Sequence, residues 1–138
     1  MNLPASTAAG AKSAEMSAQF VHLHIHSEFS LAEGLLKVKS AVGEATQRHI
    51  PAMALTDRNN LFALVKFYET GLAKGVKPIL GAELWISSPG QEPAGRIVVL
   101  AQNAEGYKNL LALISYSYTD AERRGEITEQ SLFDHEQG

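Results

Sequence analysis

Cysteine is absent from this chain. There is therefore no disulfide framework to read and no cysteine nucleophile, and nothing favours secretion. Long apolar runs are absent too, since none approaches the roughly 20 residues a membrane helix needs. The opening MNLPASTAAGAKSAEMSAQ has no apolar stretch that could serve as a signal. Rich in Ala and Ser, it reads as a disordered leader or start-site extension over residues 1–19. These absences set the expectation of a soluble, cytoplasmic protein with no membrane contact. Positive charge is also short. With 12 basic against 15 acidic residues, the net charge of −3 provides no basic stripe for a phosphate backbone. No direct nucleic-acid contact is expected, although a place beside a DNA-binding partner stays open. The chain lacks a G-x-S-x-G elbow. Its GLAKGVKP stretch, Gly71 to Pro78, lacks phosphate-loop spacing and reads as a helix C-cap.

What is present suits one α/β domain. The hydrophobic share of 45% is enough for a real core. FVHLHI, Phe20 to Ile25, alternates as a strand, with Val21, Leu23 and Ile25 on one face and His22, His24 and His26 following on the other. Leu35, Val38, Val42 and Ala45 predict a helix over roughly Leu35 to Arg48, stopped by Pro51. Ala52 to Thr56 reads as a short buried strand. Asn59 or Asn60 is placed to cap a second helix with the stripe Leu61, Leu64, Val65, Tyr68 and Leu72, which Gly75 ends. Val76 to Ile86 is a third strand, with Gly81 a bulge or close-packing point. Arg96 to Gln102 is a fourth. Asn103 caps a third helix carrying Leu110, Leu111, Ile114 and Tyr118. Beyond Thr119, only Ile127, Leu132 and Phe133 are apolar anchors. Alternating strands and helices imply a largely parallel sheet, either open or part of a barrel.

In parallel α/β folds, sites collect at the C-terminal ends of strands. Strand one ends in His24 and His26, strand two in Asp57 and Arg58, and strand three near Glu83. Two histidines in register project to one side about 7 Å apart. With a carboxylate, they suit Zn, Mn or Fe. Glu83 in an apolar strand needs a cation, and Arg58 is the expected partner. Asp57 reads as structural and His22 as a packing residue. Arg96 opens its strand, at the wrong end for this rule.

Three blocks carry a resemblance. FVHLHIHSEFSLAEG resembles the opening of the PHP (polymerase and histidinol phosphatase) domain. LTDRNNLFALVKFYETGLAKGVKPILGAELWI and NAEGYKNLLALISYSYTDAERRGEIT are similar to the blocks that follow in the PHP domains of bacterial C-family replicative DNA polymerases. The resemblance runs from Phe20 to about Gly138. It implies a distorted (β/α)7 barrel of mostly parallel strands, incomplete here because residues 20–138 form only its front. Active members hold divalent metals and hydrolyse phosphoesters, in polymerases as 3′-5′ proofreading. By resemblance, His24 and His26 match the first metal motif and Glu83 the next carboxylate. Glu33 stands where the family usually has Asp. Arg58 and Arg96 stand where active members have His, and a guanidinium has no lone pair for a metal. The resemblance therefore implies a degenerate metal site and a structural or docking role, with no catalytic residue in this chain. The residual divalent ion would be Zn, Mn or Mg, with none held by the fragment. The implied partners are the rest of a DNA-directed DNA polymerase (a nucleotidyltransferase) and a separate proofreading exonuclease subunit. The alternative is a metal-dependent phosphoesterase with a residual His/Glu site. Leu80, Leu84, Val98 and Leu100 are expected to face a core that further strands would complete, leaving the chain alone marginal or oligomeric.

Overall fold

Val38, Val42 and Ala45 recur at helical spacing, and all three are buried along α1 (Val38–Gln47). The computed structural model describes residues 20–138 apart from 32, 89, 91–94 and 123. The leader expected over residues 1–19 lies outside them. The helix begins three residues later than its apolar spacing predicts. Leu35 is 97% exposed. The Leu36 carbonyl accepts the Glu28 amide at 3.0 Å, which holds this stretch against the preceding loop. After α1 the chain turns through His49 at φ 56° and reaches Pro51.

β1 (Ala52–Leu55) pairs in parallel with the long β2 (Lys77–Ser87), Ala52 opposite Lys77 and Leu55 opposite Leu80. The predicted strand at Phe20–Ile25 is only partly formed. It makes one bridge, His22 to Met53. Ala54 N–H donates to His22 O and Thr56 N–H to Ile25 O, so three residues on one side span two on the other, the count of a bulge. The Ile25 amide then donates to the Thr56 hydroxyl instead of a carbonyl. His22 is exposed and meets Phe20 edge-on, so it is not a core residue.

α2 (Leu64–Lys74) buries Leu64, Phe67 and Gly71, while Val65, Tyr68 and Leu72 of the expected stripe are exposed. Gly71 lies on the buried face, where a Cβ would come within 2.9 Å of Val76 O in the turn that ends the helix and 3.4 Å of Pro78 Cβ at the start of β2. Neither Asn59 nor Asn60 caps α2. Its N-cap is Ala63, and Asn60 Oδ1 accepts from Phe62 N–H within the preceding turn. Gly75 closes the helix at φ 73° as predicted.

Among the described strands β3 (Gly95–Leu100) is the exception to the parallel direction, since it pairs antiparallel with β2, Gly81 opposite Leu100 and Ile86 opposite Gly95. A parallel return needs a crossover of about a dozen residues or more, and residues 88–94 are too few. After α3 (Ala104–Thr119), β4 (Glu126–Thr128) adds in parallel to β2 at Trp85–Ser87. The result is an open, mixed, four-stranded sheet. The Asn103 side chain caps α3 by accepting from Glu105 and Gly106 N–H. A last helix, α4 (Glu129–Phe133), starts with a capping box between Thr128 and Ser131.

Two hydrophobic clusters cover one face of the sheet. Val38, Val42, Met53, Leu55 and Phe67 form the first, with Leu80 packed against it. Ala82, Leu84, Leu110, Leu113 and Ile127 form the second, with Leu132 at its margin. Phe133, expected as an anchor, is 63% exposed. Leu111 and Tyr118 are likewise largely exposed, since α3 buries Gly106, Leu110, Leu113 and Ser117 instead. Opposed residues of a ladder share a face. Val98 pairs with Glu83 and Leu100 with Gly81, so they lie on the face away from Leu84. The expected common core of Leu80, Leu84, Val98 and Leu100 is therefore divided between the two faces. Among the described residues, no helix is long and apolar enough to cross a membrane.

Candidate metal centre

The antiparallel β3 resolves the position of Arg96. Running against β2, it brings its first residues to the end where β1 leaves the sheet. Arg96 stands opposite Trp85, and Arg58 forms a parallel bridge with Glu83. Glu83, Trp85, Arg58 and Arg96 thus share one face. The 20–27 segment lays His24 and His26 over that face, and the following loop adds Glu33.

Asp57 holds this loop in place. Its carboxylate is buried and accepts from Ser27 N–H at 2.6 Å, Ser27 Oγ at 2.6 Å and Ser30 Oγ at 2.7 Å. Ser30 Oγ in turn accepts from Arg58 N–H. Asp57 is thus structural, as its sequence context predicts.

His24 Nε2, His26 Nε2 and Glu83 Oε2 converge. Their separations are 3.2 Å between the imidazoles, 3.7 Å from His24 to Glu83 and 2.7 Å from His26 to Glu83. Ligand atoms about 2.1 Å from one tetrahedral ion stand about 3.4 Å apart, so these spacings bracket a metal shell. The Glu83 side chain is only 4% exposed. Its Oε2 has no partner in hydrogen-bond geometry, the short approach of His26 included. An orphaned buried carboxylate oxygen beside two imidazoles fits a divalent cation. These three residues form a group that could hold one metal ion.

Glu33 does not join them as a fourth ligand. Its Oε2 makes a close ion pair with Arg58 Nη2 and lies 3.6 Å from His26 Nδ1 and 3.9 Å from Arg96 Nη1. The expected Arg58–Glu83 side-chain pair is therefore replaced. Arg58 meets Glu83 through the backbone, while Arg96 Nη1 approaches Glu83 Oε1 at 3.5 Å. Arg58 and Arg96 each place the guanidinium carbon 5.4 Å from the centre of the Trp85 ring, within cation–π range.

Sequence reasoning missed two residues. Trp85 follows Glu83 by two on one strand, so the alternation that selected Glu83 also selects Trp85. Asn59 takes φ 49° and locks the site to α3 and β4. Its Nδ2 donates to Gly125 O, its carbonyl accepts from Tyr118 Oη–H and its amide donates to Glu83 O. An apolar hollow of about 970 Å³, lined by Leu23, Val65, Tyr68, Ile79, Leu100 and Tyr107 among others, lies apart from these charges.

The PHP domain profile matches residues 22–138. The chain is 46% identical over 113 residues to the DNA polymerase III subunit alpha of Pseudomonas fluorescens, covering 81% of this chain and 10% of that one. Against the same subunit of Vibrio cholerae it is 46% identical over 118 residues, covering 84% and 10%. It spans about a tenth of the length of these curated relatives. Among solved structures, a candidate metal-dependent phosphoesterase from Bifidobacterium adolescentis superposes with a TM-score of 0.58 at 16% identity, over 73% of this chain and 34% of that one. An amidohydrolase from Chromobacterium violaceum, solved with bound sulfate and no metal, gives 0.56 at 26% identity, over 69% and 32%.

Proposed function

The chain belongs to the PHP domain family, and from that premise we propose that it is the front of the PHP domain in a bacterial DNA polymerase III alpha subunit, serving replication as a structural and docking element. The similarity to two alpha subunits supports the parent. In this reading, the open mixed sheet is part of a distorted (β/α)7 barrel that the rest of the subunit completes, in the cytoplasm. A separate proofreading exonuclease subunit is the further docking partner.

The observation that carries the structural role is the ion pair between Arg58 and Glu33. A carboxylate placed to ligate a metal is engaged by a fixed cation. Arg58 and Arg96 supply permanent positive charge where a phosphoesterase needs ligands with free lone pairs. His24, His26 and Glu83 remain as a three-ligand remnant. A Zn, Mn or Mg ion held there would supply Lewis acidity and an activated water. The chain's own residues then orient rather than react. Asp57 fixes the loop, Glu83 faces the imidazoles and Glu33 is held by the guanidiniums.

The geometry of His24, His26 and Glu83 favours one alternative, a phosphoesterase of the 3′-5′ exonuclease type with a residual site. One experiment separates the two. The purified chain is incubated with Zn, Mn or Mg, its metal content is measured, and hydrolysis of a generic phosphodiester is followed. The structural reading expects at most one ion per chain and no turnover. Turnover that disappears in His24→Ala would overturn it.

A further inference from the structure

β3 carries an open outer edge. Ala101 N–H donates to Leu80 O at 2.8 Å, which fixes the alternation of the β2–β3 ladder. Leu80 with Ala101, Ala82 with Val99 and Leu84 with Ile97 bond across it, so Arg96, Val98 and Leu100 turn their N–H and C=O groups outward. Among the described residues, no strand lies on that side. The other edges are covered or blunted. His22 and Ile25 accept from Ala54 and Thr56 N–H along β1. Pro78 removes a donor where β2 runs on beyond β3, and β4 is only three residues long. β3 has none of these devices. Its sequence GRIVVL holds no proline, lysine or acidic residue, and Ile97, Val98, Val99 and Leu100 are half-buried.

We propose that this edge pairs with the same edge of a second copy, giving a two-fold dimer with one continuous sheet. A two-fold contact needs a surface complementary to itself, and β3 is one. With the chains antiparallel and Val98 opposite the partner's Val98, Arg96 falls opposite the partner's Leu100, and each such pair exchanges two hydrogen bonds. Ile97 falls opposite the partner's Val99. Both residues pack against the second cluster, so that face gains β-branched apolar pairs across the seam. The two Arg96 stand roughly 14 Å apart, which keeps like charges from meeting. The seam is short, roughly 16 Å, and buries less than a standard interface, so the dimer is weak and depends on concentration. One such edge per copy closes the assembly at two. The contact uses the backbone of β3 and no ligand of the metal centre, so it stands independently of the docking reading.

Sedimentation velocity of the whole chain, from micromolar to near-millimolar concentration, tests this. The mass is expected to rise from 14.9 kDa toward twice that value. Val98→Pro removes an outward donor and no bond to β2, and should hold the folded chain at one copy. Cysteine substitution reads the register, since the chain has no cysteine of its own. Oxidation of Val98→Cys with diamide should link two copies, because facing Cα atoms about 5.5 Å apart suit a disulfide. In Leu100→Cys the two Cα atoms are roughly 14 Å apart, and linking should be at least tenfold slower. Circular dichroism confirms the fold of each variant, and if Val98→Pro does not fold the two cysteine variants decide. A wild type that stays at 14.9 kDa throughout would overturn the proposal. So would assembly beyond two copies, a folded Val98→Pro that associates like wild type, or Leu100→Cys linking as fast as Val98→Cys.

Discussion

Replacing Asp57 by alanine would remove one acceptor group from three donors at once. Ser27 N–H, Ser27 Oγ–H and Ser30 Oγ–H all point to its carboxylate at 2.6 to 2.7 Å, and the group is 2% exposed. A hydrogen bond to a charged group contributes about 1.5–3 kcal/mol, and a buried donor left unpaired costs about 1–3 kcal/mol. The two hydroxyls can rotate in search of other acceptors. The Ser27 amide cannot. Allowing for that relief, Asp57→Ala should cost about 3–5 kcal/mol, a large share of a net stability of roughly 5–15 kcal/mol. Asp57→Asn retains an oxygen at the position of Oδ1, which receives Ser27 N–H and Ser30 Oγ–H. It places an NH₂ against Ser27 Oγ, which must turn to accept and leaves one hydroxyl proton unpaired. That variant should lose about 1.5–3 kcal/mol. Equilibrium urea unfolding followed by circular dichroism would measure both, with equal m-values as the condition for comparison. An asparagine variant as unstable as the alanine variant would refute the hydrogen-bond account, as would an alanine variant within about 1 kcal/mol of wild type.

Two further substitutions test the fold around the site. Gly81→Ala would drive a Cβ to 2.5 Å from Val99 O, a backbone atom that cannot swing away, and thermal unfolding should show a loss of about 1–3 kcal/mol. Asn103→Ala removes the acceptor for two amides at the start of α3 and should cost about 1 kcal/mol in the same assay, whereas Asn103→Ser should retain most of it.

The site was legible in outline because strand ends can be located from apolar runs. His24, His26, Arg58 and Glu83 come together as the strand-end rule predicts. Their pairing was not legible. Arg96 reaches Glu83 only because β3 runs against β2, a direction that strand order alone does not supply. The helix faces failed for a different reason. Apolar spacing assigns Val65, Tyr68 and Leu72 to the buried face of α2, whereas the helix buries Leu64, Phe67 and Gly71, a face that includes a glycine. A glycine contributes nothing to an apolar count, so a buried face that includes one is under-weighted by spacing alone. β4 was missed because three residues, with Ile127 alone fully buried, carry too little pattern to announce a strand.

β2 belongs to both hydrophobic clusters, through Leu80 on one side and Ala82 and Leu84 on the other. Its backbone is therefore common property of two packing units that otherwise meet little. Neither unit can open alone without fraying the ladder that the other uses, so loss of one becomes a loss for both. An eleven-residue strand thus acts as the element of cooperativity. Glu83 is carried on that shared strand, so the group beside the imidazoles depends on both units for its place.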